Sequence, residues 1–259
     1  NQSSADGVAA EHGGIGGAGY DALVNDPEVD AVYNSLPNGL HAEWSIKAME
    51  AGKHVLCEKP MARNTAEVEE MFRVSEQTGQ ILVEAFMYRS HPAIQKLIDT
   101  VRGGALGQVK LIRSNFSFTR EVMESDARYQ VDHAGGGLMD VGCYCVNLAR
   151  AVMGSEPTET ACFAHIHEKG VDDYAAGLLR FGEKTLMTFT CGMTVHNDWT
   201  TYISGDDGEI EIQAPWFCDG TFKVTRKGKT ELIEAKTDKP VSYTHLRAHE
   251  TPEQRGWRG

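Results

Sequence analysis

The sequence predicts an α/β protein in which a partial Rossmann domain, built on a doubly wound parallel sheet, precedes an α+β domain with a large, mostly antiparallel open sheet. Two patterns support this prediction. Between about residues 30 and 85, apolar strand-like segments alternate with helical segments and short loops, which indicates parallel strands joined by crossover helices. Between about residues 160 and 234, segments of alternating polarity are separated by glycine turns, which is typical of antiparallel strands.

The first domain should contain three parallel strands. Residues 30–36, 54–57 and 81–85 are short apolar runs next to turn-forming residues, so each is predicted to be a buried strand. A helix is predicted from about residue 40 to 51, because a glycine follows where a helix terminator belongs. Asn38 is a candidate N-cap for this helix.

A second helix should connect the last two of these strands. Asn64 and Glu67 have the spacing of a capping box, and Gly79 stands where the helix should end. Its inward side chains are expected to be Val68, Met71 and Phe72.

The pattern changes after residue 86. A helix at about 92–102 and a strand at about 108–118 come first, and a helix at about 135–153 follows after a loop. The antiparallel strands follow, so helices should cover one face of the second sheet.

Composition excludes several classes of protein. The net charge of −12 and the absence of a basic stripe argue against nucleic-acid binding, and no apolar run is long enough to span a membrane. The six cysteines show no paired metal-ligand spacing and are interpreted as reduced, buried residues, which is typical of a cytoplasmic protein. His165 and His167 share a strand face and could hold a metal ion, but a solvent-facing surface is the preferred interpretation, so no metal site is predicted. There is no initiator methionine, so the question of a signal peptide stays open.

The helix at about 135–153 carries three polar side chains in a row. Asp140, Tyr144 and Asn147 are spaced i, i+4 and i+7, so they share one face of an α-helix. The opposite face is apolar and consists of Val141, Cys145, Leu148 and Val152. Tyr144 is the candidate general acid/base; the alternative is a half-buried packing residue.

An apolar strand ends in Cys57-Glu58-Lys59-Pro60. A residue before proline is held extended, and Lys59 stands at a strand end, where ligands of parallel sheets bind. A lysine beside a tyrosine is a candidate proton-transfer pair, because the ammonium stabilises the phenolate and lowers the pKa of the tyrosine. Lys59 and Tyr144 are therefore expected to face one cleft between the domains; an exposed lysine is the alternative.

One glycine motif is interpreted as a decoy. Gly14 to Gly19 matches the G-x-G-x-x-G pattern of dinucleotide-binding proteins. That function requires a turn between a buried strand and a helix N-terminus, whereas Ala9-Ala10-Glu11-His12 is typical of a helix end. The segment is therefore predicted to be an exposed glycine loop.

Four segments of the chain resemble the Gfo/Idh/MocA oxidoreductase family. They are residues 30–41, Glu58-Lys59-Pro60, Met87–Pro92 and Gly135–Gly142. The resemblance extends from about residue 8 to about residue 238. Tyr144 and Asn147, which follow Asp140, resemble the pattern of one branch of the family. That branch contains glucose–fructose oxidoreductase, xylose-type sugar dehydrogenases and dimeric dihydrodiol dehydrogenase. Many other members have histidine in place of the tyrosine and aspartate in place of the asparagine.

The resemblance implies an NAD(P)-binding Rossmann domain over residues 1–86 and a substrate and oligomerisation domain over residues 87–240. It implies hydride transfer between NADP or NAD and a sugar, polyol or dihydrodiol, and a homo-oligomer formed through the open sheet. The family's glycine-rich phosphate turn would precede residue 1, so the first strands are expected to be missing, and with them phosphate binding. Residues 241–259 are interpreted as a non-native tail, with a natural disordered tail as the alternative.

The resemblance also implies roles for individual residues. Lys59, Tyr144 and Asp140 would be catalytic, with Asp140 orienting the phenol or a substrate hydroxyl, and the Lys59–Pro60 bond would be cis. The expected cofactor contacts are Pro37, Asn38, His41, Glu58 and Lys59. The expected substrate contacts are Asn147 and Arg128, for which a bond to the backbone and a solvated arginine are the respective alternatives. Two other functions stay open, a redox-cycling glycosidase and a non-catalytic binding protein on the same scaffold.

Overall fold

The computed structural model describes residues 2–17, 19–119, 126–196, 198–217 and 219–237. The chain divides into two compact units, one that ends at Ala85 and one that begins at Phe86. The predicted tail over residues 241–259 lies outside the described residues.

The first unit contains a three-stranded parallel sheet with helices between its strands. Its elements, in chain order, are α1 (Gln2–His12), α2 (Tyr20–Val24), β1 (Ala31–Asn34), α3 (His41–Glu50), β2 (His54–Cys57), α4 (Thr65–Thr78) and β3 (Leu82–Glu84). The strands lie in the order β1-β2-β3, and both pairings are parallel, which confirms the predicted arrangement.

Local signals explain where α4 begins and ends. The Asn64 side chain accepts a hydrogen bond from the Glu67 backbone N–H at 3.0 Å, as the capping-box spacing predicts. Gly79 ends the helix with φ of 70°, a conformation that glycine adopts without strain. Met71 is buried and Val68 packs against the core, but Phe72 is 38% exposed. The inward orientation predicted for Phe72 is therefore wrong.

Two predictions about the first unit's loops have different outcomes. The segment Gly14–Gly19 follows helix α1 and its described residues are mostly exposed, which confirms that it does not follow a strand. The Asn38 cap is wrong, because α3 begins at His41 after a 3-10 turn over Asn38–Leu40. Pro37 precedes that turn and its carbonyl accepts the Leu40 N–H at 2.8 Å, so Asn38 lies inside the turn.

The second unit contains an eight-stranded sheet. Its elements are α5 (Pro92–Arg102), β4 (Val109–Ser117), a π-helical turn (Leu138–Gly142), α6 (Cys143–Met153), β5 (Glu159–Ile166), β6 (Asp172–Phe181), β7 (Thr185–Gly192), β8 (Thr201–Gly205), β9 (Gly208–Ile212), β10 (Thr221–Arg226) and β11 (Lys229–Glu234). The strand order is β11-β10-β9-β8-β4-β7-β6-β5. Only the β4–β7 pairing is parallel among the described strands of this sheet, so the predicted mostly antiparallel sheet is confirmed.

The two faces of this sheet differ. Alternate residues of β6 and β7, such as Leu179 and Met187, join α5 and α6 in one apolar core. The other face exposes large apolar side chains, four of them on the neighbouring strands β4, β7, β6 and β5 and one on β11 at the opposite edge. These are Leu111, Phe163, Leu178, Leu186 and Leu232.

The helix predicted over 135–153 begins later and is not uniform. The chain forms a π-helical turn over Leu138–Gly142, and the α-helix begins at Cys143. The prediction of one continuous α-helix is therefore wrong at its first turn. A π-helical turn has a wider spacing than an α-helical turn, so Asp140 does not have α-helical geometry relative to Tyr144.

The cysteines follow the prediction in part. All five cysteines among the described residues are free thiols, and Cys57, Cys145 and Cys191 are buried. Cys143 is half-buried, and Cys162 on β5 is exposed, so burial was wrongly predicted for it. Cys218 lies outside the described residues. In the part of the chain that the structure describes, no helix has the length and apolarity to cross a bilayer.

We predict that Gly177→Ala destabilises the second unit by about 1–3 kcal/mol, the usual range for overpacking a core. Gly177 pairs with Phe189 across β6 and β7, and a Cβ at Gly177 would lie 2.2 Å from the Phe189 ring. Chemical denaturation, followed through the transition of the second unit, measures the change.

Ala176→Ser is the matched control, because Ala176 is the preceding residue on the exposed face of the same strand. Its free energy of unfolding should change by less than about 0.5 kcal/mol. Equal stabilities for the two variants would show that the Phe189 ring moves aside without cost.

Candidate active site

Side chains hold the backbone around Lys59. The Lys59–Pro60 peptide bond is cis, as the resemblance implies, and Lys59 is half-buried. The Lys59 N–H donates to Glu58 Oε2 at 3.1 Å, and the Met61 N–H donates to Glu84 Oε1 at 2.8 Å. This segment, Glu58 to Met61, follows β2 at the carboxyl end of the parallel sheet.

Glu58 has a second partner on the neighbouring strand. The Tyr33 hydroxyl on β1 donates to Glu58 Oε1 at 2.5 Å. Burial raises the pKa of Tyr33 well above its ordinary value, and the hydrogen bond to Glu58 and its negative charge raise it further. The phenol therefore stays protonated and remains a donor to the carboxylate. Sequence reasoning missed Tyr33, although its place on β1 beside the end of β2 was readable from the strand pattern.

His41 does not reach outward as a cofactor contact would. Its side chain is fully buried, and Nδ1 and Nε2 lie 2.9 Å from the Pro60 carbonyl oxygen and 2.6 Å from the Leu36 carbonyl oxygen, respectively. Because both ring nitrogens contact backbone carbonyl oxygens, neither nitrogen is left for a ligand. The cofactor contact expected for His41 stays a prediction. Pro37 and Asn38 are half-buried at the end of β1, and their cofactor contacts stay predictions.

The three glycines before the π-helical turn allow close packing. A Cβ at Gly135 would lie 2.3 Å from the Arg128 carbonyl oxygen, and one at Gly136 would lie 2.1 Å from Asp172 Oδ1. Gly136 also has φ of 119°, which side chains rarely allow. The Asp172 carboxylate accepts the Leu138 N–H at 2.6 Å, so β6 holds the start of the helix that carries the candidate residues.

Asp140 forms an ion pair with Arg128. The Arg128 Nε donates to Asp140 Oδ2 at 2.8 Å, and its Nη1 donates to Asp126 Oδ1 at 3.2 Å. Burial opposes the charge of Arg128, but the Asp140 and Asp126 carboxylates outweigh it and raise the pKa of the guanidinium. The Arg128 side chain is 41% exposed, so part of the guanidinium stays accessible. Asp126 was not predicted from the sequence.

Tyr144 lies in an aromatic cluster. Its ring is 5.1 Å from Phe86, 5.3 Å from Phe116 and 5.5 Å from Trp216, measured between centroids. The residue is only 6% exposed. This packing fixes the ring plane of Tyr144, so little rotational freedom remains for the phenol.

Asn147 contacts side chains that the sequence analysis did not single out. Its Oδ1 accepts hydrogen bonds from the Tyr88 hydroxyl at 2.6 Å and from Arg89 Nη1 at 3.3 Å. Burial raises the pKa of Tyr88 well above its ordinary value, so its hydroxyl stays a donor. The Tyr88 ring is 5.7 Å from the Tyr144 ring, and Asn147 therefore supports the cluster around Tyr144. A substrate contact by Asn147 stays a prediction, with its side-chain oxygen already bonded.

The structure groups the sequence-predicted residues in three places. Lys59 and Glu58 belong to the first unit, and Asp140 and Arg128 pair with each other in the second. Tyr144 and Asn147 share the aromatic cluster of the second unit. Of the three predicted residues of this helix, Asp140 therefore contacts Arg128, and Tyr144 and Asn147 lie beside Tyr88.

His165 on β5 and His167, which follows β5, both contact other protein side chains. His165 Nδ1 lies 2.7 Å from Asp173 Oδ1, and its ring stacks on Tyr174 at 4.9 Å between centroids. The His167 ring lies against Tyr129. Within the described ranges, no cluster of three or more His, Cys, Asp or Glu side chains could hold a metal ion.

Two family descriptions match the chain. Residues 1–86 match "Oxidoreductase family, NAD-binding Rossmann fold", and residues 94–211 match "GFO/IDH/MocA C-terminal domain". The rabbit (Oryctolagus cuniculus) trans-1,2-dihydrobenzene-1,2-diol dehydrogenase is 32% identical over 226 residues, which covers 86% of this chain and 68% of that protein. The chain belongs to the Gfo/Idh/MocA oxidoreductase family. The family resemblance noted in the sequence is thereby confirmed.

Two further similar proteins are a dehydrogenase and a ketoreductase by name. The D-xylose 1-dehydrogenase (NADP(+)) 2 of Haloferax volcanii is 37% identical over 202 residues, covering 78% of this chain and 62% of that protein. The crystal structure of KijD10, a 3-ketoreductase from Actinomadura kijaniata in complex with NADP and TDP-benzene, is 27% identical with a TM-score of 0.87. That match covers 96% of this chain and 78% of the other. The chain spans about three fifths of the length of the first curated relatives it matches.

We predict that Asp172→Asn changes the pH dependence of stability. Burial raises the pKa of Asp172, although backbone N–H groups, that of Leu138 first, oppose the shift. The folded state therefore binds more protons than the unfolded state just above the ordinary pKa of about 4, so ionisation lowers stability as pH rises through that window. The amide keeps an acceptor for Leu138 and does not ionise, so the variant should gain stability relative to the parent between about pH 4 and pH 7.

Urea denaturation at a series of pH values measures this difference. Asp132→Asn, at an exposed position, is the matched control and should track the parent. A stability difference between Asp172→Asn and the parent that is flat with pH would contradict the role of burial.

Proposed function

We propose that this protein is an NAD(P)-dependent oxidoreductase that transfers a hydride between the nicotinamide cofactor and a CH–OH group of a sugar, polyol or dihydrodiol. The observation that carries the proposal is the Glu58–Met61 segment, whose backbone contacts four side chains, with Lys59 at the end of β2. The names of the relatives support the substrate class, because they include a xylose dehydrogenase and dihydrodiol dehydrogenases.

The ends of β1 and β2 fit the nicotinamide ribose side of such a cofactor. The two strands are neighbours in register up to Asn34 and Cys57, and the Glu58 N–H donates to the Asn34 carbonyl at 2.9 Å. Asn38 and Lys59 therefore follow adjacent strand ends, where ligands of parallel sheets bind, and offer an amide and an ammonium to ribose hydroxyls. The bound cofactor supplies the hydride acceptor for alcohol oxidation and the hydride donor for carbonyl reduction.

Proton transfer is assigned to Tyr144 with help from Lys59. When an alcohol carbon loses a hydride, its hydroxyl must lose a proton, and a carbonyl, a reduced cofactor and one proton result. A phenolate accepts that proton, and a nearby ammonium favours the phenolate because it lowers the pKa of the phenol. Asp140 and Arg128 are assigned to a substrate hydroxyl, because Arg128 combines a fixed position with partial exposure.

We also propose that a second copy of the chain covers the exposed face of the large sheet. Leu111 and Leu186 are partners in register on β4 and β7, Leu178 lies on β6, and Phe163 on β5 is 88% exposed. A monomer rarely leaves such a row of large apolar side chains in water, so a self-complementary sheet face supports a homo-oligomer.

Tyr144→Phe should lower kcat by about two to four orders of magnitude, the range for losing a positioned general acid/base. The affinity for NADP or NAD should change little, because the phenol acts on the substrate. Turnover of D-xylose and of a trans-dihydrodiol, with NADP and NAD as acceptors, measures the first effect, and fluorescence titration of the cofactors measures the second.

Tyr202→Phe is the matched control. Tyr202 lies on β8, where Arg113 of β4 lies over its ring, and it is not among the aromatic residues that pack against Tyr144. It loses the same hydroxyl and should keep the parent's kcat. Normal turnover by Tyr144→Phe would show that Tyr144 only packs, and an inactive parent that binds a sugar would favour the non-catalytic alternative.

Leu178→Glu should dissociate the oligomer, because a carboxylate would be buried without a partner in the middle of the apolar face. Light scattering after size exclusion gives the mass of each variant. Ile15→Glu, at an exposed apolar position in the other unit, should leave the mass unchanged. A parent chain that is monomeric at micromolar concentration would contradict the proposal.

A further inference from the structure

The regular backbone pairing of β2 ends just before Lys59. The Glu58 N–H donates to the Asn34 carbonyl of β1 at 2.9 Å. On the other side, the Ala85 N–H, which follows β3, donates to the Cys57 carbonyl at 2.7 Å. The next N–H along the chain, that of Lys59, donates to the Glu58 side chain at 3.1 Å instead of to a strand. The backbone position of Lys59 therefore depends on where the Glu58 carboxylate lies.

The Glu58 carboxylate has an anchor of its own. Several rotatable bonds separate a glutamate carboxylate from its backbone, so it holds another group in place only if it is itself fixed. In Glu58 the Tyr33 hydroxyl of β1 donates to Oε1 at 2.5 Å, while Oε2 accepts the Lys59 N–H. Hydrogen bonds to a carboxylate are shorter and stronger than those between neutral groups. The two oxygens of Glu58 thus join a side chain of β1 to the backbone of Lys59.

Tyr33 approaches Glu58 from the face of the sheet opposite to α3. The next residue of β1, Asn34, is 3% exposed and donates from its side chain to the His41 carbonyl and to Ser45 Oγ of α3. Successive side chains of a strand point to opposite faces, and Tyr33 is 57% exposed. Two adjacent residues of β1 therefore hold Glu58, Asn34 through the Glu58 N–H and Tyr33 through the carboxylate.

We infer that Tyr33 is a positioning residue, whose hydroxyl fixes the Glu58 carboxylate and, through it, the backbone of Lys59. More than half of the Tyr33 side chain is in solvent, so this role requires the hydroxyl and not the bulk of the ring. Phenylalanine at this position keeps the ring and loses the bond to Glu58. The substitution therefore separates positioning from packing.

The catalytic side of this role rests on the proposed function. Lys59 is assigned to proton transfer and to the cofactor ribose, and the rate of such a step falls steeply when the reacting groups are displaced. Tyr33 acts on that step through Glu58, without a contact to substrate or cofactor being assigned to it. The tether between Tyr33 and the Lys59 backbone is a property of the chain itself, so it is testable without turnover.

Amide exchange in Tyr33→Phe tests the tether. Loss of the hydroxyl frees the Glu58 carboxylate, so exchange of the Lys59 amide should accelerate about three- to tenfold relative to the amides of α4. The Met61 N–H donates to Glu84, so its exchange should change little and serves as a local reference. Equal exchange rates of the Lys59 amide in the variant and the parent would overturn the inference.

Tyr20→Phe is the matched control. It removes the same hydroxyl from a tyrosine of the same unit that is 49% exposed, and it keeps the ring, which packs edge-on against Trp44. The Lys59 amide should exchange as it does in the parent. An equal acceleration in Tyr20→Phe and Tyr33→Phe would show a general loosening of the unit and would contradict a specific role of Tyr33.

A double-mutant cycle shows whether Tyr33 acts through Glu58. Glu58→Ala removes the acceptor of the Lys59 N–H, so it should accelerate exchange of that amide at least as much as Tyr33→Phe does. Adding Tyr33→Phe to Glu58→Ala should then give no further acceleration. If Tyr33→Phe had its full effect without the carboxylate, Tyr33 would act by another route and the inference would be wrong.

Turnover of D-xylose and of a trans-dihydrodiol, with NADP and NAD, tests the catalytic side. Tyr33→Phe should lower kcat about three- to tenfold without lowering the midpoint of thermal unfolding, and it should add nothing to the loss in Glu58→Ala. Tyr20→Phe should keep the parent's kcat. A normal kcat in Tyr33→Phe would overturn its role in positioning Lys59. An inactive parent would contradict the proposed function, whereas the exchange rates would still decide whether Tyr33 tethers the Lys59 backbone.

Discussion

The second unit depends on one contact, the docking of the Asp172 carboxylate against the start of the helix that ends at Met153. Its Oδ2 accepts the Leu138 N–H, and its Oδ1 occupies the space where a Cβ of Gly136 would be. A helix start has unsatisfied N–H groups, and a carboxyl oxygen there satisfies one of them. This contact anchors the π-helical turn to β6, and the position of Tyr144 in the aromatic cluster follows from it.

The first unit solves a related problem with side chains that bond backbone. A lysine at a strand end is useful for catalysis only if its backbone does not move, because small displacements of catalytic groups reduce rates strongly. Around Lys59, backbone groups that a regular strand would pair with its neighbours bond Glu58, Glu84, Cys57 and His41 instead. The irregular backbone at the strand end is thereby satisfied without further strands, which is what a buried loop requires.

Sequence reasoning succeeded where the signal was local. Strand alternation, the Asn64 cap and the Gly79 terminator are properties of a few neighbouring residues, and the elements they predict are present. It failed where a distant residue decides the geometry. Asp172 bonds the start of the π-helical turn from 34 residues away, His41 contacts the Pro60 carbonyl, and Asn147 accepts a hydrogen bond from Tyr88, 59 residues away. No periodicity encodes such contacts.

The two glycine-rich segments show why composition alone is ambiguous. Gly14 and Gly19 match a dinucleotide motif, yet a Cβ at either would meet nothing within 4 Å, and the segment follows a helix. Gly135 and Gly136 match no phosphate motif, yet a Cβ at either would collide with backbone or carboxylate oxygen. Packing requires a glycine only where the absent side chain leaves room for something else, and a positive φ favours glycine independently of packing. For Gly136 that neighbour is Asp172, and the glycine there is what allows a β-strand to hold the helix that carries Tyr144.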